Sequence, residues 1–250
     1  MENFIHLITL LKQPSLIKNY KPIILLSHMR ANTSLIGHIL GSNSEINGYY
    51  EQHIGYYSWK SLIRQKLLYC KQHDLKEKSK YMFDKVLHNE HFVSPTLLNN
   101  RHAKVLISIR KPETTIPSII KLYQKVDPSH VFSTLEGAAD YYIARLQYLV
   151  TISKQLNNYF YYDAEQLRDN TTECLAGITD YLKLTTPLSP EFKTQKLTGV
   201  GNAGDHSGNL NSAKVKKVTT DYSEYDLTQI DIKSINSLYE DTLSQLKSNA

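Results

Sequence analysis

Two cysteines, Cys70 and Cys174, are all that this chain of 250 residues carries. That scarcity excludes a disulfide scaffold and any metal centre built on several thiolates, and it suits a reducing compartment. Long apolar runs are missing as well: nothing approaches the roughly eighteen residues of a membrane span. The opening segment carries Glu2 and His6 and lacks a small-residue cleavage pattern, so the expectation is a cytoplasmic protein without stable membrane insertion. Phe4, Ile5, Ile8 and Leu11 share one helical face there, as in a helix packed on its own domain. Clustered charge of one sign is also lacking: the net charge is only +5, and the lysines and arginines are scattered among carboxylates. A nucleic-acid-binding stripe is thereby excluded, and a small anionic ligand is the better match. The phosphate loop G-x-x-x-x-G-K-[ST] occurs nowhere, so the metal-holding part of an ATPase or kinase is missing.

What is present is enough apolar sequence, 41%, for one sizeable core, with no repeats and no long linker, so residues 1–250 are read as a single domain. The strongest local signal is Pro22-Ile23-Ile24-Leu25-Leu26, a continuous apolar run suited to a strand buried on both faces. A polar stretch, Ser27 to Asn32, follows it. Asn32 or Thr33 then caps a helix whose apolar face is Leu35, Ile36, Ile39 and Leu40, with Gly41 at its end. The same grammar returns over residues 104–110, where a β-rich run stops at Lys111-Pro112 and proline opens the next helix. Weaker strands are expected over 81–87, 159–162 and 45–51, and helices over 58–71, 134–154, 172–182 and 232–246. Strands alternating with helices predict an α/β fold with a central parallel sheet covered on both faces, and ligands in such folds bind beyond the carboxyl ends of the strands.

Two loops therefore carry the chemistry. In the first, Arg30, Ala31, Asn32, Thr33 and Ser34 combine a helix N-terminus, a guanidinium and two hydroxyls into a phosphate cradle. In the second, Arg110 stands at a strand end and Ser118 eight residues later. Gly199, Gly201 and Gly204 match the G-x-G-x-x-G spacing of dinucleotide folds, but they follow no convincing strand and open no helix, which argues against that reading.

The pairing of these two loops resembles the PAPS-dependent sulfotransferase superfamily. Residues 22–40 are similar to its 5′-phosphosulfate loop, usually a strand followed by [RK]-S-G-T-[ST], with Arg30, Thr33 and Ser34 in register. Residues 105–118 are similar to its 3′-phosphate motif, with Arg110 and Ser118 in register. Residues 161–184 resemble a later strand-turn-helix segment, and residues 198–214 a glycine-rich loop that covers the cofactor. The resemblance implies a P-loop-like sulfotransferase architecture, PAPS as cofactor and PAP as product. It also implies a mobile covering loop over 198–212 that brings Thr198 to the cofactor.

The pattern departs from the family at four places. Ala31 and Asn32 replace the usual Ser and Gly, removing a hydroxyl and asking Asn32 to adopt left-handed backbone. Pro117 deprives the helix of a donor directly before Ser118 and is expected to kink it. Ala164 stands where a tyrosine would meet adenine.

By the same resemblance Glu51 is the general base, with His53 and His88 as alternatives. Arg30 stabilises charge on the leaving group and Lys85 lies beside the transferring sulfuryl group. Tyr49, Tyr50, Tyr56, Tyr57 and Trp59 offer stacking faces that favour a carbohydrate acceptor over a small phenol, lipid or peptide tyrosine. His88 and His91 are three residues apart without a third ligand in the sequence nearby, so no metal is expected. The rival readings are a P-loop phosphotransferase and a non-catalytic nucleotide-binding protein on the same fold.

Overall fold

A computed structural model describes residues 18–200, 208–217 and 220–250. In chain order the principal elements begin with β1 Lys21–Leu26, α1 Thr33–Ser42, β2 Ile46–Asn47 and α2 Trp59–Cys70. They continue with β3 Tyr81–Val86, β4 Lys104–Ile109, α3 Pro112–Val126 and α4 Leu135–Ser153. The last are β5 Phe160–Asp163, α5 Thr171–Leu182 and α6 Ile232–Ser248. The five strands form one sheet in the order β2-β3-β1-β4-β5, and every pairing is parallel. The α/β class expected from the alternation of elements is the class observed.

Period-two alternation explains why β1 is apolar throughout. Ile24 and Leu26 enter a core on one face with Val105, Ile107 and Ile109 of β4 and with apolar residues of α3, α4 and α6. Ile23 and Leu25 enter a second core on the other face with Ile36, Ile39 and Leu40 of α1 and Leu175, Ile178 and Leu182 of α5. A central parallel strand must supply both layers, and burying each of its aliphatic side chains is worth about 2 kcal/mol.

The chain passes from β1 out to the edge strand β2, returns through β3, and crosses β1 to β4 and β5 on the other side. The crevice beyond the carboxyl ends of β1 and β4 is therefore the switch point of the sheet, where such folds place ligands.

Three local expectations need correction. The strand expected over 45–51 shrinks to Ile46–Asn47, because Gly48 takes φ +90° and passes so near β3 that a Cβ would lie 2.2 Å from the Phe83 carbonyl oxygen. Gly41 does not end α1, which runs to Ser42; with Gly37 it lets the helix lie directly on Tyr49. Pro117 does not interrupt α3, which is continuous over Pro112–Val126 with Pro117 and Ser118 both buried. The N-terminal apolar face at Phe4, Ile5, Ile8 and Leu11 lies outside the described residues, as do Gly201 and Gly204.

A cationic cleft as candidate functional site

The loop after β1 is strained. Arg30 has φ 65° and Asn32, which precedes the first turn of α1, has φ 55° and ψ 22°. Both occupy the left-handed region that costs a non-glycine residue about 1 kcal/mol or more. Asn32 does not cap α1 with its side chain; its amide instead donates to the Ala164 carbonyl oxygen at 2.6 Å, tying the loop to the end of β5. The start of α1 is thus left facing an open cleft.

The two predicted loops converge at this cleft. Arg30 Nε donates to Ser118 Oγ at 2.8 Å, and Arg110 Nη1 donates to the Arg30 carbonyl oxygen at 3.0 Å. Arg30, Asn32, Thr33, Ser34, Arg110 and Ser118 all line it. Ala31 is fully buried and has only backbone to offer. Thr198 is not among the lining residues: its hydroxyl pairs with His38 Nε2 at 2.7 Å, on the second turn of α1. Residues 198–212 are described only in part, and within them Leu210 reaches the cleft.

Sequence reasoning singled out none of five further lining residues, although Lys214 ends the segment expected to cover the cofactor. Arg168, Lys214, Lys216, Thr220 and Tyr222 also face the cleft, bringing its cations to five. Two of the five have a carboxylate beside them: Glu191 stands 3.7 Å from Lys214 Nζ and Glu165 4.0 Å from Arg110 Nε. Such an excess of cations beside hydroxyls and a helix N-terminus suits a ligand with more than one phosphate-like group.

His28 was also missed, although it joins the two loops. It is fully buried; its Nε2 accepts from the Arg110 backbone N–H at 2.9 Å, and its Nδ1 pairs with the Met29 carbonyl oxygen at 2.8 Å. Burial, with Arg110 and Arg145 adding repulsion, lowers its pKa to about 3, so the ring holds the loops together as a neutral tautomer.

Helix α4 secures the same region from below. The Tyr141 hydroxyl donates to the Leu87 carbonyl oxygen and accepts from the Met29 N–H, each at 2.8 Å. The Tyr142 hydroxyl donates to the Arg110 carbonyl oxygen at 2.7 Å. Arg145, fully buried, donates to Ser27 O at 2.6 Å, to Asn89 Oδ1 at 2.8 Å and to Val86 O. Three residues within one helical turn thus bind the carboxyl ends of β1, β3 and β4. The only sequence signal would have been three polar groups in the interior of a core helix.

Lys85 and Glu51 lie to the β3 side of the cleft. Lys85 is buried, and its Nζ donates to Ser34 Oγ at 3.2 Å, which links β3 to the first turn of α1. Burial lowers its pKa, with Glu51 and Asp84 pulling the other way. Glu51 is buried too: its Oε1 accepts from the Leu87 N–H at 3.2 Å and stands 3.9 Å from His53 Nδ1. His88 is packed beside Tyr141 and His53, and burial lowers its pKa.

The aromatic set around Glu51 divides. Tyr49 and Tyr56 are buried, Tyr56 donating to Asp84 Oδ2 at 2.5 Å, and half-buried Tyr50 stacks on Tyr69. Tyr57 and Trp59 alone of the five are open to solvent, each 63% exposed, and Tyr57 stacks on Phe92 with ring centres 5.3 Å apart.

No protein-family model and no curated protein matches this sequence. Solved structures do match the fold. The sulfotransferase domain from the curacin biosynthetic pathway is 16% identical, with TM-score 0.53 over 88% of this chain and 98% of its own. The sulfotransferase domain of the Synechococcus PCC 7002 olefin synthase is also 16% identical, with TM-score 0.55 over 92% and 95%. Mouse sulfotransferase SULT7A1, complexed with PAP, is 11% identical, with TM-score 0.56 over 93% and 87%. The chain has the fold of these sulfotransferases.

Proposed function

We propose that this protein is a PAPS-dependent sulfotransferase acting on a hydroxyl- or amine-bearing acceptor. The observation that carries the reading is the convergence of Arg30, Arg110 and Ser118 on one cleft at the switch point of the sheet. Two guanidiniums from separate strand ends suit a ligand phosphorylated at two positions, and the fold is one in which a solved structure is complexed with PAP. The lining fits that ligand: Arg30, Thr33 and Ser34 would hold the 5′ side, Arg110 and Ser118 the 3′-phosphate, and Tyr222 offers a ring to adenine in place of the tyrosine absent at Ala164.

PAPS supplies an activated sulfuryl group whose bond to the 5′-phosphate oxygen is exchanged for a bond to the acceptor. The chain's own task is positioning and charge stabilisation. Arg30 neutralises negative charge gathering on the leaving phosphate, and Lys85, held against Ser34, lies beside the transferring group. Glu51 takes the acceptor proton. No protein-held metal is required for this chemistry, because a sulfuryl group carries less negative charge than a phosphoryl group. Exposed Tyr57, Phe92 and Trp59 continue from the segments that carry Glu51 and His91, which supports a carbohydrate as acceptor.

The test is transfer from labelled PAPS to a panel of glycans, phenols and tyrosine peptides without magnesium. Transfer should occur and fall about a hundredfold or more in Glu51→Ala, which still binds PAP. Turnover of magnesium ATP in place of PAPS would favour the phosphotransferase reading; PAP binding with no transfer to any acceptor would favour a non-catalytic protein.

A further inference from the structure

Of the two histidines that sequence spacing left without a third ligand, His91 gains two new neighbours through the fold, and His88 is not one of them. Residues 51–57 and 88–93 run side by side, joined by parallel bridging between Tyr56 and Val93, by the Tyr56 N–H to the Phe92 carbonyl oxygen at 2.7 Å and by the Ser94 N–H to the Tyr56 carbonyl oxygen at 2.8 Å. This pairing brings Glu51, His53 and His91 together, one ligand atom from each lying within 4.8 Å of the others. Among the described residues it is the one group of three such side chains. Glu51 is buried while His53 is exposed and His91 half-buried, so the group opens to solvent on its histidine side. His53 is held at φ 52°, a strained conformation for a non-glycine residue.

We infer that Glu51, His53 and His91 form a binding site for a divalent cation of the zinc class, and that its occupancy suppresses sulfuryl transfer. Two imidazoles and one carboxylate are a donor set for zinc or cobalt, and three protein ligands leave a fourth position for water. The nitrogen donors disfavour magnesium and calcium, which take oxygen ligands. The suppression half of the inference rests on the proposed role of Glu51. A carboxylate bonded to the cation loses much of its basicity, so it takes the acceptor's proton poorly. Zinc would thus act at the base and leave the cationic cleft alone.

Cobalt titration of the purified full chain, followed by visible absorption and calorimetry, tests the site without reference to activity. One equivalent should bind with the intense d–d bands of a four-coordinate centre, zinc should displace it, and His91→Ala should weaken binding at least tenfold with an unchanged melting temperature. Substoichiometric binding, or wild-type affinity retained in His91→Ala and His53→Ala, would overturn the site, whatever the outcome of the transfer assay. In that assay, stoichiometric zinc should inhibit the wild type and be reversed by a chelator, while His91→Ala keeps its metal-free rate and resists zinc. Equal inhibition of both proteins, or stimulation of the wild type, would overturn the suppression even where cobalt binds.

Discussion

Asp84 and His28 are both fully enclosed at the strand ends, and their burial has opposite consequences for stability. Desolvation pushes His28 down to about 3, so on acidification the unfolded chain takes a proton below about pH 6.5 that the native ring refuses. Its contribution is full above pH 6.5 and is lost as the pH falls toward 3. Asp84 is raised to about 7 by burial and by the charge of Glu51, against the hydrogen bond from Tyr56. The native carboxyl keeps a proton that the unfolded one releases near pH 4, so this contribution is present below about pH 4 and is lost as the pH rises to 7. Between these limits the two slopes oppose each other. Asp84→Asn removes one of them, so its urea midpoint should fall more steeply from pH 7 to pH 5 than that of the wild type. Parallel midpoints would show that Asp84 does not hold its proton. Neither residue was legible as important in the sequence: a histidine among polar loop residues and an aspartate within a strand acquire their roles from what encloses them.

At the scale of elements, the positions of the loops depend on α4 as much as on the strands that precede them. Arg145→Met keeps much of the volume but leaves the carbonyls of Ser27 and Val86 and the amide oxygen of Asn89 without their donor. Ser27 and Val86 are buried and each acceptor left unpaired there costs about 1–3 kcal/mol, whereas exposed Asn89 can turn to water, so a loss of about 2–5 kcal/mol is expected in urea unfolding. The turn after β2 is a second such point. Gly48→Ala must place a methyl group against the Phe83 carbonyl at a positive φ, and should cost about 2 kcal/mol or more by thermal melting. The strands β1 and β4 were readable because a central parallel strand has to be apolar on both faces. Strand β2 was overextended because the alternation of its sequence continues past the glycine that ends it. Pro117 was read as a kink, yet α3 runs through it and delivers Ser118 to Arg30.

For the whole molecule, the convergence of two loops separated by about eighty residues follows from the order of strands in the sheet. A strand-loop-helix grammar made Arg30 and Arg110 legible from sequence. Arg168 follows β5 in a weaker strand-turn-helix segment that did not single it out, and Lys214, Lys216, Thr220 and Tyr222 stand in segments without that grammar and reach the cleft only when the chain folds back over it. The cleft ties these late segments to β1 and β4, so ligand occupancy should stabilise the fold as a unit. PAP at a hundredfold excess over its dissociation constant should add about 2.7 kcal/mol and raise the melting temperature by several degrees. With five cations facing the ligand, that gain should shrink as salt is added. A shift independent of salt would place the nucleotide elsewhere.

Calorimetric titration of PAP into the wild type and Arg110→Ala, without magnesium and beside an ATP control, bears most directly on the shared bisphosphate cleft. PAP should bind the wild type in preference to ATP, and Arg110→Ala should lose about 2 kcal/mol, some thirtyfold, through one missing charged contact. Unchanged PAP affinity in Arg110→Ala, or a preference for ATP, would contradict it.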